Sequence, residues 1–186
     1  MTPRPAARLD LDVEPLVIRN QTWFRHARRG LDFWHRPDPP ADGRWQHGAI
    51  VAAIYLADSI ETAWAEHYRG LSERGLPPEI GFPRDLWRCR VSLSKVADLS
   101  TEERLTRVGL RLPRPARSDW PRFELVGEAL FAAGWAAVLA PSAARPEIGR
   151  SLCVFAPGSG RVRGLSPQLP PDEIPQAPAL PRGLRT

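Results

Sequence analysis

The polar side chains best placed to do chemistry in this sequence stand beside short apolar runs. They are Arg25 in WFRHAR, Arg44 in GRWQ, Tyr55 and Glu66 in IYLADSIETAWAEHYR, and Ser142 in LAPSAAR. One carboxylate and two arginines suit electrostatic stabilisation and bidentate anion contacts. Each residue also has a plain structural role open to it. Arg25 can snorkel from a strand to the surface, Glu66 can pair with Arg69 on a solvated helix face, and Ser142 can satisfy a neighbouring loop amide. Other chemistries lack their motifs, since the chain has no Walker phosphate loop, HExxH pair, GxSxG elbow or Cys-x-x-Cys. Gly158, Gly160 and Gly164 miss the dinucleotide spacing and precede a proline-rich segment, so they read as a flexible loop.

The elements that must position these residues are punctuated by 21 prolines. TWFRHA (22–27) predicts a short strand under Arg25, and IVAAIYLA (50–57) an apolar strand under Tyr55. Asp58 with Glu61 resembles a capping box and predicts a helix to about Leu71. Its apolar face is Ile60, Ala63, Trp64, His67, Tyr68 and Leu71, which leaves Glu66 off that face beside Thr62 and Arg69. Trp87, Cys89, Val91 and Leu93 alternate with Arg88, Arg90 and Ser92, the period of a strand with one wet face. Ser100 with Glu103 predicts a short helix that Gly109 stops, and Phe123, Val126, Leu130 and Phe131 mark another that ends near Gly134. Strands follow at 136–139 and 152–155. Without a regular βαβ alternation, the pattern implies one mixed α+β domain over 16–156. The Pro/Gly/Arg-rich tail, 157–186, is expected to be irregular or wrapped on it.

With 186 residues, 42% hydrophobic and 25% charged, the chain can bury a core, and a repeat array, a disordered chain and a disulfide mini-protein are excluded. Cys89 and Cys153 are the only cysteines, which fits a reducing, cytoplasmic setting. The longest apolar stretch, 129–140, is too short to span a bilayer, and the opening MTPRPAARLDLDVE does not read as a secretory signal. The net charge of +5 suggests phosphate-bearing partners, yet the basic residues are scattered. Lys95 is the only lysine among 26 basic residues, an arginine excess attributed mainly to coding bias.

Taken in order, WFRHAR, GRWQ, IYLADSIETAWAEHYR, VADLS at Asp98 and LAPSAAR resemble the RES family, named for an arginine, a glutamate and a serine, over Trp23 to Phe155. The resemblance implies a fold like the ADP-ribosyltransferase toxins of the diphtheria-toxin type. It also implies a bacterial toxin that breaks the nicotinamide–ribose bond of NAD, with water or phosphate as acceptor. NAD is then a substrate and no prosthetic group is expected. Nicotinamide leaves a cationic pyridinium as a neutral molecule, so one carboxylate suffices to stabilise an oxocarbenium-like ribose. The match assigns that role to Glu66, the pyrophosphate to Arg25 and Arg44, the nicotinamide face to Tyr55, and a ribose or phosphate contact to Ser142. Asp42 stands where the family often has a second glycine, and Gln46 and Ser151 replace common asparagines.

The same resemblance implies an Xre-like helix-turn-helix antitoxin as partner, no membrane, and nucleic acid met only through that antitoxin. Two alternatives stay open at this point. ADP-ribose can be transferred to a protein acceptor, or the chain can be a nucleic-acid-binding or ribonuclease-type toxin that stacks bases on its seven tryptophans.

Overall fold

The computed structural model describes residues 11–158 and 160–186; most of the opening segment read against a secretory signal lies outside the described residues. The first element, β1 (Pro15–Arg28), runs well beyond TWFRHA. Irregular pairing at Leu16/Ile18 and Ile18/Gln21, with Asn20 at φ 48°, breaks its alternation, which is why the sequence pattern reveals only its second half. Strand β2 (Ala53–Ala57) starts later than expected, because Ile50 and Val51 turn and donate their amides to the His47 carbonyl.

Helix α1 (Ile60–Ser72) is capped by Ser59, whose hydroxyl accepts from the Thr62 amide at 3.1 Å. Asp58 does not cap it. The Asp58 amide still donates to the Arg150 carbonyl, and its carboxylate accepts from the Arg150 amide at 2.9 Å, so the chain leaves the sheet one residue later than the sequence suggests. Strand β3 (Arg84–Asp98) contains the alternating run. In α2 (Glu102–Arg107) the cap is Thr101 rather than Ser100, whose hydroxyl instead donates to Asp98 at 2.6 Å. Helix α3 (Trp120–Ala132) is followed by β4 (Ala137–Pro141) and β5 (Arg150–Phe155). The tail then adds β6 (Leu165–Pro167) and β7 (Asp172–Ile174), both antiparallel to β3.

Strand order β1-β2-β5-β4-β3, with β3 pairing back onto β1, closes five strands on themselves; only β3–β4 is parallel among these pairs. One domain of mixed strands and helices results. Trp23, Ile54, Trp87, Cys89, Val91, Leu152 and Val154 belong to one core, while Leu99, Leu105, Phe123, Val126, Leu130 and Val138 form a second that includes the inner face of α3. A third cluster joins Trp64, Tyr68 and Leu71 of α1 to Leu86. The closure is thinnest between β1 and β2, which share the single register pair Phe24↔Ala57. Residues of both strands line a cavity at this point.

No helix among the described residues is long and apolar enough to cross a membrane. Cys89 and Cys153 are both free and buried.

Candidate active site

A cavity of about 470 Å³ is lined by Arg25 from β1, Tyr55 from β2, Glu66 and Arg69 from α1, and Arg44 from the loop between β1 and β2. The carboxylate reaches it because α1 has two inward stripes. Besides the apolar face, Thr62, Glu66, Arg69 and Glu73 recur at spacings of three and four, so they share one side of the helix. That side faces the loop after β4: Thr62 accepts from Arg145 Nη1 at 3.2 Å, and Glu66 meets Ser142. The stripe is therefore an internal polar seam.

Glu66 is anchored at both oxygens. Oε1 accepts from the Ser142 hydroxyl at 2.6 Å and the Ala144 amide at 3.3 Å, while Oε2 accepts from Arg69 Nε at 2.9 Å. Burial acts to raise its pKa, but the Arg69 charge, the Ser142 and Arg69 donors and the Ala144 amide together hold it below the ordinary carboxylate value. It is ionised at neutral pH. Arg69 is fixed in turn by Glu73 and by the Pro115 carbonyl, so its charge cannot swing away.

Ser142 has no exposed surface. Its oxygen accepts from the Ala144 and Arg145 amides at 3.2 Å each, and its hydrogen goes to Glu66. Ser142 thus organises the turn that holds the carboxylate and stands behind Glu66, outside the lining of the cavity. Ser142→Ala is expected to lower kcat by about 10- to 100-fold with KM little changed, the value of a hydrogen bond to a charged group. Ser142→Thr rescue, read with a thermal melt, separates this from simple unfolding.

Arg25 is largely occupied with its own chain. Its Nη1 donates to the Phe33 carbonyl and its Nη2 to that of His35 at 2.7 Å, with the guanidinium over the Phe33 ring at 5.5 Å. Arg44 is 8% exposed, lies over Phe123 at 5.0 Å and donates Nη2 to the Arg114 carbonyl, leaving Nη1 buried without a partner among the described residues. Burial, with repulsion from Arg36 at Arg25 and from Arg69 at Arg44, brings both guanidinium pKa values down to about 10, so both stay charged. Arg44 can take an anion directly, whereas Arg25 chiefly holds the loop.

Tyr55 lines the cavity with its Oη accepting from the Trp45 amide at 3.0 Å. Gly43 is required there, since a Cβ would come within 2.8 Å of that oxygen. Asp42 turns from the cavity chemistry to its own loop and accepts from the Gly48 amide at 2.9 Å.

Sequence reasoning treated Arg69 only as a surface partner and missed His26 and His67, which also line the cavity. His26 stacks on Trp64 at 5.1 Å and accepts from Arg84 Nε at 3.0 Å. Burial and nearby arginines push the His26 pKa well below its usual value and that of His67 to about 4. Both are neutral at pH 7. The folded state therefore binds fewer protons than the unfolded chain between about pH 6.5 and 4, and stability falls as pH drops through that window. Glu66 adds loss at lower pH, because its stabilisation is present above the unfolded carboxylate value and disappears as pH falls through the folded one. Melting temperature is expected to decline already between pH 6.5 and 5, and a His67→Leu variant to flatten part of that decline; an unchanged slope contradicts it.

Trp23, Trp45, Trp64 and Trp87 are buried and Trp34, Trp120 and Trp135 are partly buried, so the seven do not form one exposed stacking surface. Among the described residues there is no group of three or more His, Cys, Asp or Glu able to hold a metal ion.

A chain in the crystal structure of the M. tuberculosis MbcT–MbcA toxin–antitoxin complex has a similar fold, with a TM-score of 0.73, 24% identity and 86% of each chain covered. No curated protein matches significantly. The RES domain family model matches residues 19–172, a span that takes in Arg25, Glu66 and Ser142 and runs on through β6. The chain belongs to the RES domain family.

Proposed function

We propose that this chain is the toxin of a toxin–antitoxin pair and that it cleaves the nicotinamide–ribose bond of NAD. The observation that carries the reading is an ionised carboxylate, fixed at both oxygens, in a cavity otherwise rich in arginine. The arginines draw in a doubly charged pyrophosphate, and Glu66 faces the one part of NAD that becomes positive. Tyr55 supplies an aromatic wall for the nicotinamide ring.

In the reaction, the bond between ribose C1′ and the pyridinium nitrogen breaks with its electron pair going to nitrogen, so nicotinamide departs neutral. An oxygen of water or phosphate bonds to C1′ and gives up its proton to Glu66 or to solvent. Glu66 offsets the charge on the ribose between these events, and no group is needed to protonate the leaving base. This chemistry fits a relationship of the fold to ADP-ribosyltransferases. A similar fold in a toxin–antitoxin complex supports an antitoxin partner, for which an Xre-like helix-turn-helix protein is the reading retained.

Incubation of the purified protein with NAD, with and without inorganic phosphate, tests the reading by chromatography of nicotinamide and the ADP-ribose product. Nicotinamide release is expected, and dependence on phosphate separates phosphorolysis from hydrolysis. Absence of release under both conditions overturns it.

A further inference from the structure

A second cavity, of about 600 Å³, adjoins the first and shares His35, Arg36, Pro37, Pro40 and Ala52 with it. Its own lining includes Trp34, Asp32 and Asp38. At the neck stands Arg36, whose Nη2 donates to the carbonyls of Gly158 at 2.6 Å and Gly160 at 3.1 Å. Its Nη1 is buried with no partner among the described residues. A buried guanidinium arm without an acceptor is costly, and an anion seated at the neck relieves that cost. The loop is held in place by Arg25, which donates to the carbonyls of Phe33 and His35 on either side of Trp34. Trp34 is further fixed edge-on against Phe33 at 4.9 Å, and its amide donates to Asp32 at 3.1 Å.

Resting on the NAD reading above, we propose that Arg36 anchors the pyrophosphate and that the second cavity receives the adenosine half, with the base on Trp34. A dinucleotide laid this way has its reactive ribose at Glu66 and crosses the neck where both cavities meet. Asp32 and Asp38 then face the adenosine ribose. They accept from its hydroxyls and repel a 2′-phosphate, so the site prefers NAD to NADP.

The test compares the parent with Arg36→Ala, Trp34→Ala and the double variant Asp32→Asn/Asp38→Asn, using NAD and NADP as substrates and ADP-ribose and nicotinamide as competing inhibitors. Arg36→Ala is expected to raise KM for NAD and weaken ADP-ribose inhibition by about 10- to 100-fold. Trp34→Ala is expected to do so by about 5- to 100-fold, the range of one stacked base. Neither variant alters inhibition by nicotinamide, which occupies only the Glu66 end, and the double variant narrows the preference for NAD over NADP. If the parent releases nicotinamide but these variants leave KM and ADP-ribose inhibition unchanged, or weaken nicotinamide equally, the adenosine site is overturned while the NAD reading stands. If the parent turns over NADP as well as NAD, the role of the two aspartates falls. No nicotinamide release from the parent overturns the reading and the site together.

Discussion

Glu66→Gln is expected to lower the rate of nicotinamide release by about 10³-fold, with KM for NAD changed little. A preorganised group that stabilises transition-state charge contributes about 10²–10³-fold when it is a neutral donor, and a full carboxylate in a partly desolvated cavity belongs at the upper end. Glutamine keeps the shape and an oxygen for the Ser142 hydroxyl and the Ala144 amide, while it removes the charge that the proposed reaction assigns to Glu66. Arg69 keeps Glu73 and the Pro115 carbonyl as partners, so the cluster retains its internal support. Rates under saturating NAD, with a thermal melt of the same sample, check the expectation. A variant that melts like the parent and still turns over NAD at a tenth of its rate or better removes Glu66 from the reaction.

The second large effect is on stability. Trp45→Ala is expected to cost about 3–5 kcal/mol, as for other buried tryptophans truncated to alanine, and to lower Tm by about 10 °C or more. Trp45 is 2% exposed and stands edge-on to Phe123 at 5.0 Å. The opposite face of the same arrangement serves the site, because the neighbouring Arg44 guanidinium rests on the Phe123 ring and the Trp45 amide donates to Tyr55. Helix α3 approaches this loop so closely that a Cβ on Gly127 would lie 2.1 Å from the Trp45 carbonyl oxygen. Removing the indole leaves a void beside the Phe123 ring on which Arg44 rests, so NAD affinity is expected to fall along with stability. Trp45→Phe retains an aromatic contact and most of both. A melting shift of less than a few degrees in Trp45→Ala contradicts the idea that this ring clamps the arginine loop.

The parts of the fold with one wet and one dry face were readable from the sequence. Strand β3 and helix α1 bury the residues their periodicities indicate, including Trp64, Tyr68, Leu71, Trp87, Cys89 and Val91. The caps were displaced by one residue because Asp58 and Ser100 are engaged by the ends of strands, a tertiary demand that no local pattern reveals. Barrel closure and the pairing of β6 and β7 with β3 depend on partners far away in sequence, and proline-rich composition conceals them. The site was legible only through the order of its motifs. Glu66 and Ser142 are separated by 76 positions, so their hydrogen bond has no spacing signature. Arg69 was in plain view on the Glu66 side of α1, but a charged pair three residues apart looks the same on a wet face and in an internal seam.

The tail has a further consequence. Ala144 donates its amide to Glu66 and accepts at its carbonyl from the Arg185 amide at 2.8 Å, while Tyr68 of α1 donates its hydroxyl to the Pro178 carbonyl at 2.5 Å. The peptide that holds the carboxylate is gripped from behind by residues synthesised after every other part of the site. At about 5–20 residues per second, translation from Ala144 to Arg185 takes roughly a few seconds. Until Arg185 has been made, the turn that offers its Ala144 amide to Glu66 lacks the hydrogen bond that the finished chain places behind it, so the order of synthesis leaves the bracing of the carboxylate to the last residues of the sequence.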